Sequence, residues 1–465
     1  LYKQGFRGTV YATEATCDLC GIMLRDAAHI QMSEAEWRGR KAARAGRAAP
    51  EPLYTLEDAE GVLTLLRPCS YGQRVQVGEN IIIRFTDVGH LLGSACIETW
   101  LTEGDVEKKI VFSGDIGNVN QPLLRDPQTV SGADYVLIES TYGDRSHGER
   151  PDYLGALADC IQRTLDRGGN VVIPSFAVGR TQELLYFIRE IKDQKLVKST
   201  PNFPVYIDSP LAKAATTVFC GDLHGYLDEQ ALDLVKDGTH MFTFPNLNLV
   251  ESSEESKMLN MDTTPKVIIS ASGMCDAGRI RHHLKHNLWK PECTIVFVGY
   301  QGEGTLGRSL LEGVRSVKLF GEEIAVHAKI VNFQGLSSHA DRDHLLAWIA
   351  DIKAPKPQHV FIVHGDREVA PYFAESVEKL GFTAHAPQYT EVYDLLEDKI
   401  VAPGYLPERK AKAVGGQRVS SAYERLVALG QRMVDVIRRS KGRDNKTLGR
   451  WADQLRQLLD KWEES

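Results

Sequence analysis

Apolar positions in the first 145 residues fall in short runs that stop at small or polar residues, the pattern of strands in a half-buried sheet. The strand candidates are GTVYAT (8–13), NIIIRFTDV (80–88), CIETWLTE (96–103), KKIVFSG (108–114) and YVLIES (135–140). Between them, TEATCDLCGIMLRDA reads as a helix. SEAEWRGRKAARAGRAAPEP (33–52) reads as a basic helical run ending in a proline-containing loop, and TLEDAEGVLTLL (55–66) as a further helix opened by Thr55 as N-cap.

From about residue 146 the pattern changes. VVIP, VYID, VIIS and TIVFV are apolar without alternation, and each leads into a loop and then a helical stretch. Such runs fit the central strands of a parallel sheet covered on both faces, so this part predicts a Rossmann-like α/β unit. After Gly313, SVKLFG and HAKIVNF read as strands leading out of the unit, followed by HVFIVHG and the helix VAPYFAESVEKLG. PG at 403–404 and AVGGQ (413–417) mark a linker, and the remainder reads as two amphipathic helices.

Length allows two or three domains, and 43% hydrophobic with 25% charged residues is the composition of a soluble globular protein. No stretch approaches the roughly 18 uninterrupted apolar residues of a membrane span, and the first residues lack a signal-peptide pattern. No membrane association is expected. The eight cysteines are scattered, which fits a reducing compartment and a cytoplasmic location. Cys17 and Cys20 form a lone CxxC without the second pair that a structural zinc needs, and read as two part-buried helical thiols. A net charge of −7 excludes a wholly basic coat but leaves room for a local positive patch on nucleic acid. Residues 405–465 are locally basic, with 14 lysines and arginines against 8 acids.

The candidate chemistry lies in FTDVGHLLGSA (85–95), VFSGDIG (111–117), FQGLSSHAD (333–341) and FIVHGD (361–366). In each, an apolar run stops at a small or glycine residue and a histidine or aspartate follows at once. His90, Asp115, His339 and His364 therefore sit at strand ends. Each string alone reads as a turn with a solvated side chain. Four with the same grammar point to a rim where a rigid sheet builds a metal site.

In this order the motifs resemble the metallo-β-lactamase fold, and in particular its β-CASP branch of RNA nucleases, which includes the mRNA cleavage and polyadenylation endonuclease and ribonuclease J. His90 matches that branch's third metal motif and Asp115 its fourth; VLIESTYGDR with Glu139 resembles motif A, SSHAD with His339 motif B, and IVHGD with His364 motif C. The resemblance runs to about Gly404 and implies an α/β fold, an αββα sandwich incomplete at its N-terminus. Its parts would be residues 1–145 and 313–404, with a β-CASP insertion at 146–312 between motifs A and B and a basic helical extension at 405–465.

The resemblance further implies RNA as substrate and two zinc ions per complete site. Asp115 would bridge the ions, with His90 completing one and His364 the other. Glu139, His339 and Asp115 would be the catalytic set, with Glu139 orienting His339 as the acid that protonates the departing ribose oxygen. The alternative for Glu139 and His339 is a purely structural hydrogen bond. The family's HxHxDH loop is absent from this sequence, and His29 is the only histidine before His90. The chain starts at Leu1, and the expectation is a fragment that lacks its first metal motif and is impaired as given.

Substrate contacts are expected from the inserted unit: Ser175 and Arg180 in SFAVGRTQE, Ser272, Gly273 and Arg279 in SGMCDAGR, and Arg308 in GYQGEGTLGR. Glycine-containing loops after buried strands can turn backbone N–H groups toward an anion. A plain strand-to-helix turn is the alternative. His282, His283 and His286 read as a basic helix face near phosphate, or as a solvated face without a role. Rival functions are a non-catalytic RNA-binding or assembly subunit and a small-molecule metallo-hydrolase. A homodimer is left open.

Overall fold

The computed structural model describes residues 1–147, 152–221, 223, 225–236, 240–333, 337–407, 433, 437, 440 and 444–463. The chain divides into two compact units, Leu1–Gly404 and Tyr405–Ser465. The first strands are β1 (Val10–Thr13), β2 (Leu66–Cys69), β3 (Arg74–Gly78), β4 (Ile81–Asp87), β5 (Ala95–Glu103), β6 (Val106–Phe112) and β7 (Tyr135–Ile138). Next come β8 (Val171–Pro174), β9 (Val205–Ile207), β10 (Leu247–Leu249), β11 (Val267–Ser270), β12 (Thr294–Phe297), β13 (Ser316–Leu319), β14 (Glu322–Ala325) and β15 (Lys329–Asn332). The last are β16 (His359–Ile362), β17 (Ala384–His385), β18 (Val392–Asp394) and β19 (Lys399–Ala402).

The helices of the first unit are α1 (Glu14–Arg44), α2 (Leu56–Leu63), α3 (Tyr153–Asp166), α4 (Arg180–Asp193), α5 (Pro210–Phe219) and α6 (Glu229–Lys236). They continue with α7 (Ser253–Met261), α8 (Ile280–Asn287), α9 (Leu306–Leu311), α10 (Arg342–Ala350) and α11 (Val369–Glu378). In the second unit α12 (Asn445–Glu463) forms, while the other expected amphipathic helix falls mostly outside the described residues. No described helix is long and apolar enough to cross a membrane.

Strands β3 to β6 make an antiparallel meander, and β7, β16 and β17 add to it in parallel, giving the order β17-β16-β7-β6-β5-β4-β3. One face of this sheet packs Val111, Val136, Ile138, Val360 and Ile362 against Leu345, Trp348 and Ile349 of α10 and Phe373 and Val377 of α11. The opposite face is covered by Tyr393 and Leu395 over Ile110, Tyr135 and Phe361. Further along it, Ile81, Ile97, Val106 and Phe112 are exposed. The two-stranded sheet β18–β19 covers only the part of that face around Tyr135.

Between β7 and β16 a six-stranded sheet is inserted, entirely parallel, in the order β10-β9-β11-β8-β12-β15. Its strands point side chains alternately to two cores. Val171, Ile173, Ile269 and Val296 meet α3, α4 and α5, while Val172, Ile268, Ile295 and Phe297 meet α8 and α9. Both faces are buried, and that is why the sequence shows no alternation.

Two expectations need correction. HAKIVNF was assigned to the part returning to the first sheet, but β15 pairs in parallel with β12 as an edge of the inserted sheet. Ile330 packs on one of its cores and Val331 on the other, and hairpin β13–β14 adds Val317 and Leu319 to the α8–α9 side. The inserted layer therefore continues to Asn332 rather than ending at 312. The two helical stretches read between residues 13 and 52 form one 31-residue helix, α1, capped by Thr13, whose Ala15 and Leu19 pack on the inserted unit's core.

Candidate metal centre and substrate cleft

Four strand ends of the first sheet deliver polar side chains to one rim. Asp87, the last residue of β4, accepts the Gly89 N–H at 2.9 Å, and Ser94 Oγ accepts the N–H groups of His90 (3.0 Å) and Leu91 (3.1 Å). Gly89 has φ +62, and a Cβ there would lie 2.3 Å from the Arg125 carbonyl oxygen, so only glycine lets the chain turn His90 inward. The His90 side chain is 10% exposed, and its Nε2 faces the Asp115 carboxylate.

Asp115 follows β6 and stands between two imidazoles. One carboxylate oxygen is 3.2 Å from His364 Nε2 and the other 3.8 Å from His90 Nε2. His364 follows β16 with φ +48, a left-handed backbone that is uncommon outside glycine and asparagine, and its side chain is 61% exposed. Its carbonyl accepts the Ser140 N–H at 3.0 Å, which ties the β16 loop to the β7 loop.

Glu139 directly follows β7 and is buried. It accepts the Ile116 N–H at 2.5 Å, and its two oxygens lie 3.2 and 3.1 Å from His339 Nδ1. Burial alone would raise the Glu139 carboxyl, but the bonds from His339, Thr141 and Ile116 hold it below the ordinary carboxylate value. Burial also works against a charged His339; the hydrogen bond and charge of Glu139 outweigh it and lift the imidazole above its usual value. His90 goes the other way. Burial, and then the neighbouring His339 charge, push it down to about 4, leaving a neutral imidazole with a lone pair to offer.

These donors suit a metal ion. His90, Asp115 and His339 present ligand atoms within 4.8 Å of one another, and His90 turns Nε2 toward the Asp115 carboxylate. His339 belongs to this cluster by proximity, since its ring centroid is 4.4 Å from that of His90, yet its Nδ1 is already taken by Glu139. His364 approaches Asp115 more closely than His90 does, on the other oxygen.

The rim opens on a cavity of about 570 Å³, lined by His90 and His339 on one side and by Phe176, Arg180, Ser272 and Arg279 of the inserted unit on the other. The substrate candidates divide here. Arg180 and Arg279 line the cavity but are already paired. Arg180 is in close contact with Glu183, and Arg279 donates to Asp208 Oδ1 at 2.6 Å and to the Glu251 carbonyl at 2.7 Å. Ser272 lines it, whereas Gly273 lies behind the Phe176 ring.

Ser175 does not face the cleft: it is fully buried, accepting from Thr181 Oγ1 at 3.1 Å and donating to the Phe176 carbonyl at 3.2 Å. Arg308 is likewise misplaced by the sequence reading. It is not part of the cavity wall, and its guanidinium is held one helical turn along by Glu312 at 2.7 Å.

The histidine run on α8 is not one face. His283 is buried, with one ring nitrogen 2.6 Å from Asp208 Oδ2 and the other 2.9 Å from Asn260 Oδ1, while His282 stacks on Phe320 with ring centroids 4.3 Å apart. Asp208 thus gathers Arg279, His283 and Ser256 beneath the cleft. The CxxC thiols remain free and part-buried, and burial raises Cys17 to about 11, against a metal-binding thiolate.

Residues 181–310 match the domain family described as Beta-Casp domain, and residues 323–387 the family described as Zn-dependent metallo-hydrolase RNA specificity domain. The chain is 36% identical over 368 residues to Ribonuclease TTHA0252 of Thermus thermophilus, covering 79% of this chain and 78% of that protein. It is 31% identical over 374 residues to an RNase J-like protein of Methanocaldococcus jannaschii, covering 80% and 79%. It is 30% identical over 393 residues to Transcription termination factor FttA of Pyrococcus abyssi, covering 82% of this chain but 57% of that longer protein.

Proposed function

Because the chain belongs to the β-CASP family of metallo-β-lactamase-fold RNA nucleases, we propose that it hydrolyses RNA phosphodiester bonds at the rim formed by His90, Asp115, Glu139, His339 and His364. The observation that carries this reading is the Asp115 carboxylate, with one oxygen toward His90 and the other toward His364, beside a separate Glu139–His339 pair.

In this reading His90, Asp115 and His364 would hold the zinc. Zinc bound there supplies an activated water and neutralises charge on the phosphoryl group. The remaining roles fall to the chain's own groups. Glu139 fixes His339 through Nδ1, so Nε2 is the nitrogen left to carry a proton to the departing ribose oxygen. The Glu139 hydrogen bond and charge raise the basicity of His339, which favours its holding that proton. The cavity between the two sheets receives the strand, with the inserted unit as its far wall.

The test is cleavage of single-stranded RNA by the 465-residue chain and by a fusion that places a segment carrying the HxHxDH motif ahead of Leu1. The fusion should cleave far faster with zinc, and Asp115→Ala should abolish that gain. A fusion that folds, binds zinc and leaves RNA intact would overturn the reading.

A further inference from the structure

Phe176 sits just beyond β8, a strand buried to its last residue, yet the side chain is 42% exposed into the cleft that also contains His90 and His339. Its backbone is pinned. The Phe176 carbonyl accepts the Thr181 N–H at 3.3 Å, Thr181 Oγ1 at 2.7 Å and Ser175 Oγ at 3.2 Å. The ring abuts backbone that carries no side chains: a Cβ built on Gly273 would lie 3.0 Å from two ring carbons, and one on Gly299 3.9 Å from the ring. The loop at Gly273 is therefore pared back to glycine where it meets this ring, and the rest of the ring opens to the cavity.

An aromatic held this rigidly on a wet wall loses little entropy when something flat is laid on it. Charge is a weak rival for that grip. The cleft's arginines are engaged by Glu183 and by Asp208, and the chain as a whole carries −7.

We propose that Phe176 is the platform on which a base of single-stranded RNA stacks beside the scissile phosphodiester, an inference that rests on the ribonuclease reading and deepens it. Every base has a π-face, so the platform accepts any sequence but demands a base. Ser175, Thr181 and Gly273 then serve as positioning residues that seat the ring.

The test uses the 465-residue chain and two fluorescent single-stranded oligomers with hydrolysis-resistant phosphorothioate links, one of RNA and one of the same length without bases. Phe176→Ala should weaken binding of the RNA by about 5- to 150-fold, the range for one stacked base, and leave binding of the abasic oligomer unchanged. Phe176→Tyr should restore RNA binding, and thermal melting checks that each variant is folded. Equal weakening on both oligomers would mean that the ring only shapes the wall, and would overturn the platform. Unchanged RNA binding in a folded Phe176→Ala would overturn it as well, while leaving the ribonuclease reading intact. If the unaltered chain binds neither oligomer, both the ribonuclease reading and the platform fall.

Discussion

His339 and His364 lie with ring centroids 6.3 Å apart, but their partners differ: Glu139 for one, Asp115 for the other. In the fusion carrying an HxHxDH segment, His339→Ala should slow RNA cleavage by about 10²- to 10⁴-fold and leave zinc content near normal. His364→Ala should lose zinc along with activity; equal zinc loss in both variants would erase the division into acid and ligand. Asp87, also buried, gives a pH signature in stability. Burial, opposed by the Gly89 N–H and the Arg125 charge, raises its carboxyl from 3.8 to about 6. Folded Asp87 therefore holds its proton more tightly than the unfolded chain does. That contribution, roughly 3 kcal/mol at most, is complete below about pH 4 and is lost as pH rises through about 6. The denaturation midpoint of Asp87→Asn should lack this decline, and parallel pH curves for the two proteins would refute it.

Among the elements, β9 and α8 show how a motif that looks like surface chemistry becomes structure. Arg279, at the start of α8, reads in the sequence as a substrate contact that follows a glycine-containing loop. Instead its guanidinium meets Asp208, whose side chain is fully buried and also receives bonds from His283 and Ser256. Arg279→Glu would set two carboxylates together under the cleft. The unit should lose roughly 3–5 kcal/mol of stability, read as a lower urea midpoint, and an unshifted midpoint would show that the network relaxes without cost. Arg308→Glu, on an exposed pair with Glu312, should change stability by less than about 1 kcal/mol. The sequence could not separate these two arginines, because both stand near a helix start after a glycine-containing loop. The separation lies in what packs opposite.

At the scale of the whole molecule, the proposed ligands among the described residues are His90, Asp115 and His364, short of the four that each tightly held zinc would take. The 465-residue chain should therefore retain well under two zinc ions after dialysis against a mild chelator, and two tightly held ions by elemental analysis would refute this. Much of this rim was legible in the sequence. Glycine or a small residue after an apolar run, then histidine or aspartate, specifies a strand end and what it presents, and both are local properties of the backbone. Unbroken apolar runs likewise specified a parallel sheet buried on both faces. The rest was decided by contacts between residues far apart in the chain. HAKIVNF carries nothing that says which of two sheets it will join, and pairing with Thr294–Phe297 settles it. Ser175 and Phe176 are neighbours in one string, yet the hydroxyl turns into the core and the ring into the cleft. Periodicity reports whether a residue lies on a strand or a helix; which charges are cancelled and which rings stay open depends on the partners that tertiary packing brings to them.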